Sequence, residues 1–381
     1  MHATWHLVRA ATAVYLFSYF YRGLPPNAGL LEPCRYLIEG PSIANATDEI
    51  AHGMGTSIAA CVTNGCHVLG SKALFSSPYR IAVQAPHSRN QNVFTFAGVN
   101  RLGYDSANIT GTCNAAGQGG RFDGDGESAI GFFWGPFTDA GEVEDMDTRL
   151  PHFVLSRKID RNNHGYGMYR GGASLVEVST ACGDMGCFLN SWGSADKISH
   201  NPGIMGGYMG PPNPRFIIEG SDFFERTSRG EEIDLELNEL ITKRELSGEY
   251  RLEASGQPTE KFSEGDLMVF SMGGGGGYGD VLERDPNLVR KDLLDKMITK
   301  DIAEKIYGVL FVSESLEIDP DKTEKRRNRM RQARLRQGKS FDDFIDGWLE
   351  KRPRDDIIEY YGDWPEPRVP EYRKPFWGQL V

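Results

Sequence analysis

The chain has 381 residues, of which 39% are apolar, and a formal net charge of −11 at pH 7. This length allows a large buried core in one or two domains, and the acidic balance argues against nucleic-acid binding, which needs a basic surface. Six cysteines in a chain this long fit reduced thiols in a cytoplasmic protein. The 45 glycines predict many turns and irregular β structure rather than a helical bundle.

The first segment with helical character is the apolar run from Leu7 to Tyr21. An arginine interrupts it, no small-residue cleavage site follows it, and it is too short to cross a bilayer. We therefore predict a buried amphipathic helix and no membrane segment. Because this helix starts almost at residue 1, we expect another chain to cover it. Asn45 and Asp48 are candidate caps for a second helix within residues 42–75.

The middle of the chain changes to β-like patterns separated by glycine, proline and asparagine clusters. Residues 80–135 predict a sheet with long loops, and residues 150–275 predict a mostly antiparallel, β-rich region. The strand candidates are the apolar runs 81–83, 93–96, 153–155 and 175–178.

Five consecutive glycines, 273–277, lie between a predicted strand at 266–270 and a helix that opens at Asp285 and Pro286. Glycine loses more backbone entropy on folding than any other residue, so five in a row need a physical reason. Three interpretations compete: a phosphate cradle, a packing loop that another backbone approaches closely, and a mobile lid with glycine hinges. The spacing matches neither a Walker A motif nor a dinucleotide fingerprint.

The last part of the chain is predicted to be helical. The helix from Pro286 should run to about Lys296, and a short helix-to-strand segment should follow at 306–312. Residues 321–350 predict a charged helical section, in which the basic run from Lys325 favours a solvated or partner-facing helix over an RNA-binding patch. The Pro-, Trp- and Tyr-rich end is expected to wrap over a neighbouring surface.

These patterns together predict an α+β fold in three parts. Residues 1–150 form a mixed α/β part that docks on a partner subunit, and residues 151–315 form a β-rich part that ends in the penta-glycine loop and a helix. Residues 316–381 form a helical, charged and Pro/aromatic-rich arm.

Two Cys-x4-Cys pairs raise the question of a metal site. Cys61 and Cys66, with His67 beside them, and Cys182 with Cys187 could supply four zinc ligands. The spacing is wider than in the usual zinc knuckle, and lone cysteines more often serve as small buried hydrophobes. We therefore expect no metal site on this chain.

Three motifs follow one another along the chain. They are the acidic segment 141–147 with Pro151 behind it, the glycine-rich segment 162–172, and the penta-glycine segment followed by 282–286. In this order they resemble the hydantoinase B family, which includes the C-terminal part of oxoprolinases and the large subunits of ATP-dependent acetone and acetophenone carboxylases. The positions that depart from the family pattern are Asp147, Asn162 and His164.

The resemblance covers about residues 10–315, and the tail around Glu324 is more similar to the ketone carboxylases than to the hydantoinases. It implies that this chain corresponds to the C-terminal half of a large subunit. A second chain would carry the N-terminal half and a catalytic metal such as Mn, Zn or Fe. ATP and Mg would be bound by a hydantoinase A-type ATPase subunit, and a small zinc-binding subunit could join the complex.

The resemblance also implies an activity, in which ATP phosphorylates bicarbonate and the enol of a ketone and the two are joined inside a sealed channel. Sealing has a physical purpose because carboxyphosphate hydrolyses quickly in water. The alternatives are an ATP-dependent hydantoinase or 5-oxoprolinase subunit, which opens an amide ring, and a non-catalytic scaffold. The site candidates are His164 as a base for enolisation, Arg170 as an anion ligand or internal salt-bridge partner, and Gly274, Gly275, Gly276, Tyr278 and Asp280 as channel-lining residues.

Overall fold

The structure is a computed structural model. It describes residues 3–21, 23–36, 43–45, 53, 55–89, 92–109, 115–131, 141–182, 186–193, 198–212, 214–253, 260–312 and 315–351. The chain divides into two compact units, Met1–Thr323 and Glu324–Val381. The three-part division expected from composition stays a prediction.

Helices and strands alternate irregularly along the chain. The helices are α1 (Trp5–Tyr19), α2 (Gly55–Phe75), α3 (Val143–Arg149), α4 (Phe223–Ser228), α5 (Leu237–Lys243), α6 (Pro286–Leu294), α7 (Lys300–Lys305), α8 (Pro320–Gln337) and α9 (Phe341–Leu349). The strands are β1 (Asn92–Val99), β2 (Asp105–Ile109), β3 (His152–Ile159), β4 (Leu175–Ala181), β5 (Cys187–Gly193), β6 (Arg215–Glu219), β7 (Glu249–Glu253), β8 (Glu260–Phe262) and β9 (Leu267–Ser271).

The strands form two antiparallel sheets within the first unit. One has the order β2-β1-β5-β8 and the other the order β3-β4-β9-β6-β7. The α+β class predicted from the sequence is therefore confirmed. No helix among the described residues is long and apolar enough to cross a membrane.

Strand β9 lies in the middle of the five-stranded sheet and is buried on both faces. Leu267 and Val269 pack in a core cluster with Leu237 and Leu240 of α5. Met268 and Phe270 point the other way, into a cluster shared with Phe96 of β1 and with β5 and β8. The two sheets therefore pack face to face, and α5 covers the outer face of the larger one. This explains why β9 reads as an unbroken apolar run rather than an alternating one.

Several predicted elements are confirmed and two are wrong. The strands at 93–96, 153–155, 175–178 and 266–270 are present, as are α1, α2 and the charged helices of the last section. The segment predicted as a strand at 81–83 instead forms a 3-10 helix, Arg80–Ala82. There Val83 packs against Leu74 of α2 rather than entering a sheet.

The other wrong element is the strand at the end of 306–312. Helix α7 ends at Lys305, and the chain continues in turns closed by the Tyr307 and Val309 amides, with one isolated bridge at Phe311. Asp48 and the aromatic tail after Arg352 lie outside the described residues.

The penta-glycine segment joins β9 to α6 through the centre of what we call the glycine lattice. We define the lattice as residues 117–120, 165–172, 203–210 and 273–279, four segments that hydrogen-bond to one another through their backbones. The positive φ values at Gly273 and Gly279 turn the chain into and out of the central segment. A Cβ at Gly274, Gly275, Gly276 or Gly277 would meet a carbonyl oxygen of a neighbouring segment well inside van der Waals distance. Of the three interpretations of the glycines, the structure supports the packing loop.

Candidate functional site

The N–H groups of residues 275–279 have carbonyl partners, which argues against a phosphate cradle. The N–H groups donate to carbonyls as follows: Gly275 to Gly172 (3.0 Å), Gly276 to Pro86 (3.0 Å), Gly277 to Tyr208 (2.9 Å), Tyr278 to Tyr169 (2.9 Å) and Gly279 to Ile204 (3.0 Å). An anion would have to displace these bonds, since each buried amide already has its partner. The predicted channel-lining residues Gly274, Gly275 and Gly276 therefore lie in a backbone-packed region, and their role stays a prediction.

His164 is buried inside the lattice, 1% exposed, with its ring 5.3 Å from that of Tyr166. Neither ring nitrogen has a hydrogen-bond partner among the described residues. Burial, with the charges of Arg170 and Arg284, holds the pKa of His164 well below its usual value. This environment destabilises the imidazolium that a base would become. The enolisation role of His164 stays a prediction that the electrostatics oppose.

Arg170 takes part in a buried ion network, which corresponds to the internal use considered for it. Its Nε donates to Asp292 Oδ1 (2.9 Å), and its backbone N–H donates to Asp125 Oδ1 (2.9 Å). Arg284 lies between the same two carboxylates, with contacts of 2.6 and 2.8 Å to Asp125 and 2.7 Å to Asp292. Burial alone would raise the pKa of Asp125, but the hydrogen bond and charge of Arg284 outweigh it and lower the pKa.

Tyr278 and Asp280 hold the end of the central glycine segment. Tyr278 exchanges two backbone hydrogen bonds with Tyr169, and its ring packs in the cluster that contains Leu74 and Val83. Asp280 Oδ1 accepts from the Leu282 amide (2.9 Å) and caps the 3-10 helix Val281–Glu283. These contacts are structural, and the channel-lining role of both residues stays a prediction.

A separate cavity of about 230 Å³ lies where α1 meets the lattice. The side walls come from α1, from the segment that follows the 3-10 helix Arg80–Ala82, and from the lattice itself. The lining residues are Val14, Tyr15, Ser18, Tyr19, His87, Ser88, Arg89, Gln118, Ile130 and Gly131.

The lattice positions the polar wall of this cavity. Ser88 N–H donates to Gly117 (2.8 Å), and the Pro86 carbonyl accepts from Gly276 (3.0 Å). Ser88 Oγ also donates to the Met272 carbonyl (2.7 Å). Segment 85–89 is therefore fixed by backbone bonds on both sides of His87. It can lie this close to the lattice because its neighbours there are glycines. The penta-glycine segment acts as the support of the cavity rather than as its lining.

His87, Tyr19 and Arg89 are held in a buried cluster. His87 Nδ1 accepts from the Gly119 amide (3.1 Å), and its Nε2 lies 2.5 Å from Tyr19 Oη. Arg89 is 1% exposed and donates from Nε to Asn64 Oδ1 (2.5 Å). Its Nη2 lies 3.3 Å from Nδ1 of His67, whose ring centre is 5.0 Å from that of His87.

The electrostatics of this cluster keep both histidines neutral. Burial, followed by the charge of Arg89, lowers the pKa of His87 to about 3. Burial also holds the pKa of His67 well below its usual value, with His87 and Arg89 adding to the effect. Burial lowers the pKa of Arg89 to about 10, which still leaves it protonated at neutral pH. Arg89 is therefore the cation of the cavity wall.

Sequence patterns did not reveal this cluster, because its members come from α1, α2 and segment 85–89, which only tertiary packing brings together. The one local signal was a short polar run, His87 to Arg89, between an apolar segment and a predicted strand. The zinc arrangement considered for the cysteines is not assembled: Cys61 and Cys66 lie on α2, whereas Cys187 lies on β5. Across the described ranges no group of three or more His, Cys, Asp or Glu could hold a metal.

The fold and the site define an α+β protein in which two packed antiparallel sheets carry a glycine lattice beside a cavity. Residues 2–281 match the family model of hydantoinase B/oxoprolinase. The chain belongs to this family, as the three sequence motifs predicted.

The named relatives include both carboxylase subunits and a hydantoinase subunit. The chain is 28% identical over 358 residues to the acetophenone carboxylase delta subunit of Aromatoleum aromaticum, covering 93% of this chain and 52% of that protein. It is 27% identical over 292 residues to the acetone carboxylase alpha subunit of Xanthobacter autotrophicus, covering 74% of this chain and 37% of that protein. The B subunit of a putative D-/L-hydantoinase from a Pseudomonas species is 26% identical over 330 residues, or 82% of this chain and 46% of that protein.

Two solved structures share the fold. Nucleotide-free acetone carboxylase superposes with a TM-score of 0.83 at 23% identity, covering 92% of this chain and 47% of that chain. The ATP-dependent caprolactamase from Pseudomonas jessenii superposes with a TM-score of 0.67 at 18% identity, covering 84% and 51%. The chain thus spans about half the length of the curated relatives and structures that it matches.

Proposed function

We propose that this chain is a subunit of an ATP-dependent ketone carboxylase related to the acetone and acetophenone carboxylases. The observation that carries the proposal is the match to the acetophenone carboxylase delta subunit over 93% of the chain, compared with 82% for the hydantoinase relative. The support comes from this one relative, because the acetone carboxylase subunit covers 74% of the chain, less than the hydantoinase relative does.

In this proposal the chain supplies part of the wall of the reaction channel, and its partners supply the ATP chemistry. The occupied amides of the penta-glycine segment do not fit a phosphate, so we assign ATP and Mg to a hydantoinase A-type ATPase subunit. A catalytic metal such as Mn, Zn or Fe is assigned to a chain carrying the other half of a hydantoinase B large subunit, and a small zinc-binding subunit would complete the hetero-oligomer. We expect this complex to be cytoplasmic.

In this reaction one water takes the phosphoryl group of the enol phosphate, and the enolate carbon attacks the carboxyl carbon of carboxyphosphate as phosphate leaves. Carboxyphosphate itself hydrolyses quickly in bulk water. A closed protein environment excludes that water and strengthens the electrostatic interactions within it. We assign this task to the cavity between α1 and the lattice, because segment 85–89 in its wall is already fixed by backbone bonds before any ligand arrives.

The test is to assemble the chain with its partner subunits and supply ATP, radiolabelled bicarbonate and either acetone or acetophenone. We expect ATP-dependent incorporation of label into a carboxylic acid, with no incorporation when either ATP or the ketone is left out. Absence of label together with opening of hydantoin would refute the carboxylase assignment.

That second outcome is the alternative function, an ATP-dependent hydantoinase or 5-oxoprolinase subunit. The hydantoinase relative and the fold shared with caprolactamase support it. In this case water rather than an enolate attacks the activated group, so hydantoin, 5-oxoproline and caprolactam belong in the same assay as competing substrates.

Variants separate a catalytic subunit from a scaffold. His164→Ala, Tyr278→Ala and Asp280→Asn are compared with Tyr104→Ala, a control at a side chain that is exposed on the surface. If all three assemble and turn over like the control, the three predicted site residues have no role in turnover. A loss confined to His164→Ala in a correctly assembled complex would support its predicted role despite the buried environment.

A further inference from the structure

Helix α8 carries a row of cations on its exposed side. Residues 325–339 include eight Lys and Arg and no Asp or Glu, in a chain whose net charge is −11. Thr323 and Arg327 of this helix are buried. Lys325, Arg329 and Arg336 are exposed, and their spacing of four and seven residues places them on one face, opposite the buried one. We call these three side chains the basic stripe.

The basic stripe has no counterion within the described part of the chain. Lys322, almost one turn earlier, pairs with Asp319 at 2.8 Å, whereas no described carboxylate forms an ion pair with any of the three stripe residues. Like charges four residues apart on a helix repel each other. The stripe therefore lowers the stability of the isolated helix, and an anionic surface laid against it would relieve the repulsion.

Helix α9, which follows, has the opposite charge. Residues 341–350 include four Asp and Glu and no Lys or Arg. Asp342, Asp346 and Glu350 recur every four residues, so they share one face, and the Glu350 N–H still donates to the Asp346 carbonyl (3.1 Å). All three are exposed, and none forms an ion pair with a described cation. We call them the acidic stripe.

The two stripes are complementary in number and in sign. Each offers three charges, and both contain the four-residue interval, which is about 6 Å along a helix axis. Helices that lie side by side can therefore bring successive cations and carboxylates together. We propose that the basic stripe of one molecule docks on the acidic stripe of a second copy of this chain. A two-fold arrangement forms this contact twice, because each copy offers both stripes.

A second copy is the occupant that the charge pattern supports. Only residues 338–340 separate α8 from α9, yet among the described residues both stripes stay exposed and unpaired. The pairing is therefore available between molecules rather than within one. A nucleic acid would be attracted to the basic stripe but repelled by the acidic stripe and by the net charge of −11. This docking does not depend on the proposed carboxylase function.

The first test is the salt dependence of self-association. The full chain alone is analysed by sedimentation equilibrium at about 0.01 M and about 1 M salt, where the Debye length is about 30 Å and about 3 Å. We expect dimers at low salt and a dissociation constant at least about tenfold higher at high salt, because exposed ion pairs are screened. Two copies with a net charge of −11 repel each other, so association that does not use the stripes should instead strengthen as salt screens that repulsion.

The second test reverses the middle charge of each stripe. Arg329→Glu alone and Asp346→Arg alone should each weaken the low-salt dimer at least about tenfold, because each dimer then contains two like-charge contacts. An equimolar mixture of the two variants should dimerise again, since the reversed residues face each other and the second contact keeps its native charges. Lys300→Glu, the same change at an exposed lysine of α7, is the matched control and should dimerise as the unaltered protein does.

A chain that is monomeric at low salt, or a dimer that strengthens with salt, would overturn the proposal. The same holds if the reversed variants dimerise like Lys300→Glu, or if their mixture stays monomeric although circular dichroism shows both to be folded. If the unaltered chain stays monomeric but binds a single-stranded RNA oligonucleotide, and Arg329→Glu loses that binding, the basic stripe is a nucleic-acid surface and not a dimer contact. If either variant does not fold, the salt dependence of the unaltered protein decides.

Discussion

Gly275→Ala should strongly destabilise the protein. A Cβ at this position would meet the carbonyl oxygen and carbon of Gln118 and the amide nitrogen of Gly119. All three are backbone atoms, so no side chain can rotate away to make room. The added methyl group can be accommodated only if two segments of the glycine lattice separate.

The magnitude follows from what the separation breaks. Overpacking a core typically costs about 1–3 kcal/mol when side chains can adjust. Here the movement also strains the bond from Gly275 N–H to Gly172 (3.0 Å) and the bond from Gly165 N–H to Gly275 (2.8 Å). Each buried group left unpaired costs about 1–3 kcal/mol more. We expect a total loss of about 3 kcal/mol or more, a large part of the ~5–15 kcal/mol that stabilises a typical domain.

The measurement is urea unfolding followed by circular dichroism, with Gly65→Ala as the matched control. Gly65 lies within α2, and a Cβ there meets nothing within 4 Å. The same substitution should therefore stabilise by about 0.5–1 kcal/mol, through helix propensity alone. If Gly275→Ala unfolds within about 1 kcal/mol of the unaltered protein, the tight packing of the lattice is refuted.

Three more predictions concern buried charges. Arg284→Met leaves Asp125 and Asp292 without their shared cation, so it should lower the free energy of unfolding by about 3–5 kcal/mol. The surface substitution Arg229→Met should lower it by less than about 0.5 kcal/mol. Equal losses in thermal or urea unfolding would contradict the ion network. The pKa of Asp125 is lowered in the folded state. Its contribution to stability is therefore present above its unfolded pKa and is lost as the pH falls below that value. Asp125→Asn should make the free energy of unfolding depend less on pH in the acid range. Burial, followed by the charge of Glu236, raises the pKa of Asp160 to about 7, so the folded state holds a proton that the unfolded state has released between about pH 4 and 7. Stability should therefore fall as pH rises through this window, and Asp160→Asn should remove that part of the fall; an unchanged pH profile would disprove the raised pKa.

Local sequence patterns predicted the elements that carry a clear signal within their own residues. Strand β9 was evident as an apolar run, and α6 was evident from the Asp285 cap and Pro286 in its first turn. The strand expected at 81–83 was wrong, because three apolar residues suit a turn that packs on α2 as well as they suit a sheet. Short apolar runs do not contain enough residues for a period to be visible.

The site was harder to predict because its residues share no element. The glycines indicated a close backbone approach, and the family motifs pointed to the segments now seen in the lattice. Nothing local distinguished His87 and Arg89 from ordinary loop residues, or showed that Tyr15 and Tyr19 of α1 would contact them. Four-residue spacing placed the two tyrosines on one helical face, but the identity of the opposing surface comes from packing at long sequence separation.

The glycine lattice also has a mechanical consequence. It holds segment 85–89 at one edge and Arg170 at another, and the bonds between them are backbone bonds. Contacts between backbones cannot be relieved by a change of side-chain rotamer, whereas a core of side chains can repack locally. We therefore expect a displacement of the cavity wall to be passed on to Arg170 and its carboxylate partners, so that the cavity and the ion network move together.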